Sequence, residues 1–170
     1  MKTILLVIWL FSMVSFQTVG QTVPEATPSP SIRAVFPEPV GYVNDFEHIL
    51  SPAQEKELTE QITRFEKQTS NQIAIVTIDS IAPYPTMQAY ATDLSNTWGV
   101  GQKGKDNGLL IIVSARLRQA RIATGLGTEK ILTDEICQEI MDVHMLPQFK
   151  NGHYFNGLKT GVTELINRWK

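Results

Sequence analysis

The chain has 170 residues, of which 15 are Lys or Arg and 17 are Asp or Glu, so its formal net charge is −2. This balance argues against nucleic acid as the main partner, because phosphate binding requires a basic surface. The single cysteine, Cys137, excludes an intrachain disulfide, so the fold must be stabilised by packing or by a bound ion.

Residues 1–20 have the layout of a secretory signal peptide. Lys2 supplies a short positive region, Ile4–Phe16 is almost entirely apolar, and Thr18 and Gly20 occupy the −3 and −1 positions of a cleavage site. The apolar run is about thirteen residues long, whereas about twenty are needed to span a bilayer. We therefore expect cleavage and a location in the periplasm or outside the cell, with an uncleaved anchor as the alternative.

A proline-rich segment follows at residues 21–39, with Thr and Ser between five prolines. Such a composition cannot bury enough apolar area to offset its ordering entropy, so it predicts a linker. Residues 40–170 are mixed and periodic, and their number suits one domain with a core of its own.

The first predicted helix begins at Ser51, which is followed by Pro52 and by Gln54 three residues after the cap. Apolar residues then recur at helical spacing to about Gln68. The next segment, Gln72–Ile78, is rich in β-branched residues and predicts a buried strand.

A second helix is predicted to open at Pro85 and Thr86 and to end at the glycine-rich loop 99–108. The four glycines and the Asp-Asn-Gly turn of this loop predict positive φ angles and exposed amides. Strands at 109–113 and 120–124 are expected to pair as a hairpin, whose tip carries arginines.

Thr133 is the predicted cap of a third helix that ends at Pro147, and a last helix runs from about Tyr154 to Trp169. Few strands interleaved with at least four helices indicate an α/β fold, a three-layer α/β/α sandwich with a small mixed sheet in a single domain.

Four acidic residues, each beside a glycine or a turn, are the candidate ligands of a metal ion. They are Asp45, Asp106, Glu129 and Asp134. If the sheet brings their loops to one edge, the carboxylates would converge and require a cation, and Ca²⁺ takes six to eight such oxygen ligands. Each also has a structural interpretation, as a turn residue or as a helix N-terminal residue.

Signatures of established catalytic sites are missing from the sequence: it has no G-x-S-x-G elbow, Walker A loop, H-E-x-x-H or C-x-x-C motif. Cys137 lies on the apolar stripe of its predicted helix and is expected in the core. Lys105, at the tip of the glycine-rich loop, is a candidate phosphate ligand or simply a solvated residue.

Four segments resemble the TPM-domain family: V-N-D at Val43–Asp45, Trp98–Val113, Arg121–Asp134 and Pro147–Leu158. They occur in the order and spacing of that family, and the resemblance covers Gly41–Trp169. It implies a three-layer α/β sandwich in an exported or lumenal protein.

The resemblance also implies functions, since some family members bind calcium in an acidic cleft and a plant member is credited with weak acid phosphatase activity. The family's acidic positions correspond here to Asp45, Asp106, Glu129 and Asp134. Many relatives continue into a transmembrane helix or a glycine-rich tail, whereas this sequence stops at Lys170, so we expect no transmembrane helix in the mature protein.

Three functions follow from these observations. The first is a calcium-binding interaction module that helps to maintain or assemble envelope or membrane proteins. The second is a weak metal-assisted phosphatase, with Asp106 or Asp134 as ligand or base and Lys105 on the phosphate. The third is a structural adaptor without a ligand.

Overall fold

Four strands form one mixed sheet in the computed structural model, which describes residues 36–169. The strand order is β1-β2-β3-β4; the first three strands are parallel and β4 is antiparallel to β3. The strands are β1 (Val43–Asp45), β2 (Gln72–Thr77), β3 (Gly108–Ser114) and β4 (Gln119–Thr124). The predicted signal peptide and residues 21–35 of the predicted linker lie outside the described residues.

Helices connect and follow these strands. They are α1 (Pro52–Thr69), α2 (Met87–Trp98), α3 (Asp134–Ile140), a π-helical segment (Met141–Met145), α4 (Leu146–Lys150) and α5 (Tyr154–Arg168). Within residues 36–169, no helix is long and apolar enough to cross a membrane.

The alternation of side chains along the central strands divides the core into two layers. Ile73 and Ile75 of β2 pack with α1, α3 and α5, whereas Ala74 and Val76 pack with α2. We call these two sides of the sheet the α1 face and the α2 face. The predicted three-layer α/β/α sandwich with a mixed sheet is therefore confirmed.

The two parallel connections have opposite hands. The chain steps in the same direction from β1 to β2 and from β2 to β3, but α1 and α2 cover opposite faces. One connection must therefore be left-handed, which is uncommon because strand twist favours the right-handed form. The loops that leave β1 and β2 consequently diverge at the carboxyl ends of these strands.

The predicted helix starts are present. The Ser51 hydroxyl accepts a bond from the Gln54 backbone N–H at 3.3 Å, and the Gln54 side chain accepts one from the Ser51 N–H at 2.8 Å. The Thr86 hydroxyl caps α2 by accepting a bond from the Ala89 N–H at 3.2 Å, and Gly99 ends that helix with a φ of 66°. Local hydrogen-bonding chemistry thus sets these boundaries.

Three features differ from the sequence interpretation. Pro147 does not end the third helix, since it lies in the first turn of α4, where its missing N–H costs nothing. Val43–Asp45 forms a short strand beside β2. Phe36, assigned to the linker, packs against Tyr84 and Tyr90 with ring centroids 5.8 and 5.2 Å away.

Candidate functional site

The carboxyl ends of β1 and β2 hold the first predicted metal ligand, Asp45. Its Oδ1 accepts a bond from the Thr77 hydroxyl, and its Oδ2 accepts one from the Leu50 N–H at 2.7 Å. The Glu47 carboxylate likewise accepts bonds from the backbone N–H groups of the hairpin turn, at 2.8 Å from Ala115. In many open α/β sheets, ligands bind at the carboxyl ends of the strands. Here these two carboxylates instead stabilise the loops at that end of the sheet.

Asp106 lies at the opposite end, two residues before β3 begins. Because β1 and β3 both run parallel to β2, the amino end of β3 is separated from the carboxyl end of β1 by the length of β2. Five residue steps from Gln72 to Thr77 correspond to about 16 Å. The structure therefore does not bring Asp45 together with Asp106.

The loop around Asp106 is formed by close contact between two backbone segments. A Cβ on Gly108 would lie 2.1 Å from the Val100 carbonyl oxygen, and one on Gly127 would lie 2.0 Å from that of Lys105. The Asp106 carbonyl accepts bonds from the N–H groups of Gly127 at 3.0 Å and of the next residue at 3.2 Å. These glycines are required for backbone packing, while the Asp106 side chain remains exposed.

The predicted exposed amides of this loop are hydrogen-bonded within the protein. The Gly101 N–H donates to the Gln72 side chain at 2.8 Å, and the Gln102 N–H donates to the Asn107 side chain at 2.8 Å. The Lys105 N–H donates to the Gln102 carbonyl at 3.0 Å. These three N–H groups are therefore already used within the protein, and the phosphate-binding role of Lys105 stays a prediction without their support.

Glu129 and Asp134 line the same cavity, which has a volume of about 200 Å³ and lies between α2 and β4. Arg121 lines it too, and its Nη2 lies 3.5 Å from Asp134 Oδ1. Asp106 borders a neighbouring cavity of about 360 Å³. Of the four predicted ligands, the structure thus brings Glu129 and Asp134 together, with a positive charge beside them.

These positions do not fit a single calcium site built from all four carboxylates. Asp45 lies at the other end of the sheet with both oxygens hydrogen-bonded, and Arg121 partly neutralises Asp134. In the part of the chain that the structure describes, no three His, Cys, Asp or Glu side chains are grouped so that they could hold a metal ion.

The cavities that the sequence interpretation missed lie along β4. One, of about 490 Å³, is lined by Arg118, Lys150 and Tyr154, and a shallower one of about 330 Å³ by Met87, Met141 and the first half of β4. Together with the two cavities described above, four cavities border this strand. Two features of the sequence contained some of these residues: the hairpin tip, which includes Arg118, and the Pro147–Leu158 segment, which includes Lys150 and Tyr154.

The family model described as the TPM domain matches residues 43–168. The solution structure of the N-terminal domain of a P. gingivalis protein is 31% identical, with a TM-score of 0.68, covering 75% of this chain and 80% of that one. A search of curated proteins gives no match.

Two more distant solution structures share the fold. The BA42 protein of Bizionia argentinensis is 22% identical with a TM-score of 0.63, covering 74% of this chain and 88% of that one. The N-terminal domain of cg2496 from Corynebacterium glutamicum is 14% identical with a TM-score of 0.61, covering 81% of this chain and 86% of that one. At these identities the likeness extends to the fold alone.

Proposed function

This chain belongs to the TPM-domain family, and on that premise we propose that it is an interaction module that binds other exported proteins through the surface around β4. The observation that supports the proposal is the row of four cavities bordering one edge strand. Binding sites are typically concave, and these four cavities are lined by both apolar and polar residues. The envelope or membrane proteins expected from the sequence are the natural partner class for an exported protein.

The partner-binding proposal is tested by site-specific photo-crosslinking in the cells that produce the protein. A photoreactive phenylalanine at Gln119, an exposed residue of β4, is compared with the same group at Lys67, an exposed residue of α1. We expect discrete protein adducts at Gln119 and none at Lys67. The same adducts at both positions, or none at Gln119, would contradict the proposal.

We further propose that Glu129 and Asp134 bind Ca²⁺ weakly. Both are oxygen donors on one cavity, which suits a hard cation, but the Arg121 guanidinium opposes the binding of positive charge. Calcium at a hundred times its Kd would raise the free energy of unfolding by about 2.7 kcal/mol. We expect millimolar Ca²⁺ to raise the melting temperature of wild type and of Glu60→Gln but not that of Glu129→Gln. If Ca²⁺ does not change the melting temperature of wild type, the calcium part of the proposal is wrong.

The alternative, a metal-assisted phosphatase, is not favoured by this arrangement. Its two candidate residues, Asp106 and Asp134, border different cavities. In the loop that carries Lys105, the N–H groups of Gly101, Gln102 and Lys105 already donate within the protein, so these three do not offer a phosphate a cluster of free donors. Export itself is tested by N-terminal sequencing of the protein recovered from the producing cells, where we expect Gln21 as the first residue.

A further inference from the structure

We propose that the outer edge of β4, which pairs with no strand within residues 36–169, receives an extended peptide segment of the partner as an additional strand. This inference rests on the proposed binding function and names how the partner is held. Strand addition supplies affinity through main-chain hydrogen bonds and specificity through pockets for alternate side chains.

The hydrogen-bond phase of the sheet shows which groups face the free edge. The Gly125 N–H donates to the Gly108 carbonyl at 2.9 Å, and antiparallel pairs alternate between bonded and non-bonded positions. Arg121 and Ala123 therefore exchange bonds with β3, whereas the N–H and C=O groups of Ala120, Ile122 and Thr124 point away from it. Within residues 36–169 no strand pairs with this side of β4.

The edge runs along the floor of a groove. One side of the groove is formed by α2, through Met87, Gln88 and Thr92. Beside the first half of the strand, the other side is formed by Met141 and Leu146. Ile122 is 3% exposed because its side chain packs in the core of the α1 face, but it also borders the 200 Å³ cavity. A partner strand would thus meet both main-chain groups and a cavity lined mostly by polar side chains.

Charge along the groove defines the chemistry of the partner segment. Arg118 lies just before β4 and Arg121 lies in its first half, where Asp134 pairs with it. Glu129 follows the strand, and the residues of α2 that face the groove are neutral. Leu126, at the acidic end, is 73% exposed. The complementary ligand is an extended segment with an acidic side chain at one end, apolar side chains between, and a basic side chain at the other end.

A second copy of this chain would bring its own α2 helix to the same edge. Helix α2 packs against both β4 and β3, so two β4 strands paired about an axis perpendicular to the sheet would place two α2 helices side by side on one face. A segment that carries no helix of its own over the α2 face avoids this crowding.

In the unbound protein the edge is crossed by the Arg121–Asp134 pair. Arg121 projects from the α2 face and Asp134 begins α3 on the α1 face, so their 3.5 Å contact passes around the strand. Charged side chains are a common device that keeps an edge strand from pairing indiscriminately. An acidic side chain of the partner can take the place of Asp134 on the guanidinium, which makes binding depend on charge.

The test begins with a phage-displayed library of random ten-residue peptides, selected on the purified protein. The tightest peptide is synthesised, and amide hydrogen exchange is followed by NMR with and without it. We expect the amides of Ala120, Ile122 and Thr124 to exchange at least tenfold more slowly when the peptide is bound. The amides of Arg121 and Ala123 serve as internal controls because they already donate to β3.

Charge variants provide the matched comparison. We expect Arg121→Glu to weaken peptide binding at least tenfold and Arg116→Glu, an exposed arginine of the hairpin turn, to change it less than twofold, with both variants retaining the wild-type circular dichroism. A selected peptide that binds without slowing the three outward amides overturns strand addition while leaving the binding function intact. Failure to select any peptide also overturns strand addition. The binding function itself is tested independently by the crosslinks at Gln119.

Discussion

Arg121 and Asp134 approach each other from opposite faces of the sheet. Arg121 Nη2 lies 3.5 Å from Asp134 Oδ1, so the ion pair crosses the outer edge of β4. The Asp134 side chain is 71% exposed, whereas that of Arg121 is 27% exposed. The pair therefore lies mostly in water, where an ion pair adds little to stability. Its position matters more than its energy, because it covers the edge that we propose as the partner's binding site.

Removal of the Asp134 carboxylate is expected to have a small effect on folding. Asp134→Ala loses an exposed ion pair and a favourable charge at the start of α3, so the free energy of unfolding should fall by less than about 1 kcal/mol. Urea denaturation followed by circular dichroism measures this. A loss above about 2 kcal/mol would mean that the pair is a structural element of the fold.

Removal of the Asp45 carboxylate is expected to cost more. Asp45→Ala leaves the Leu50 N–H and the Thr77 hydroxyl without their acceptor, and hydrogen bonds to a charged group contribute about 2 kcal/mol. The same urea titration should show this loss for Asp45→Ala and almost none for Asp106→Asn, because the Asp106 side chain is exposed and asparagine, like aspartate, tolerates its positive φ of 49°. Similar losses for the two variants would refute the structural role assigned to Asp45.

The contact between the loops around Asp106 predicts a strong effect at Gly127. A Cβ there would lie 2.0 Å from the Lys105 carbonyl oxygen, so Gly127→Ala forces two backbone segments apart and should cost at least about 2 kcal/mol. Gly41→Ala is the control, because a Cβ at Gly41 meets nothing within 4 Å. The melting temperatures of the two variants are compared; a normal melt for Gly127→Ala would show that the loops can separate without cost.

The burial of Cys137 predicts that the free energy of unfolding depends on pH in the alkaline range. Burial, and secondarily the nearby Asp134 carboxylate, raise the pKa of this thiol from 9.0 to about 11. A raised pKa in the folded state means that the contribution to stability is complete below pH 9 and is lost as the pH rises through 11. Cys137→Ala should therefore lose less free energy of unfolding between pH 9 and 11 than wild type does.

The measurement for Cys137 is a series of urea titrations of both proteins across that pH range. Other groups that titrate there, the tyrosines and lysines, are common to the two proteins and cancel in the difference. Parallel curves would mean that the thiol is accessible to water in the folded state.

Much of the fold followed from local patterns in the sequence. The capping box at Ser51, the cap at Thr86 and the periodicities of the helices all depend on neighbours within a few residues. The β-branched runs that became β2 and β3 needed only their own composition and their bounding turns. The family was also accessible from sequence, because its motifs cover nearly the whole domain.

The arrangement of the candidate site could not be obtained in the same way. Asp45 and Asp106 each lie beside a strand, and the sequence does not state which end of the sheet each one occupies. That depends on strand order and direction, which are fixed by contacts between residues distant in the chain. The short β1 also lacks enough residues to show a strand pattern.

What the sequence by itself determined is the class of fold, the family, and the identity of the loops that carry charge. Only the tertiary structure decided that Asp45 is hydrogen-bonded at one end of the sheet, that Glu129 and Asp134 share a cavity with Arg121, and that no strand within residues 36–169 pairs with the outer edge of β4. The physical reason is that local hydrogen bonds and side-chain periodicity specify elements, whereas the side of a strand that stays unpaired depends on how all the elements pack.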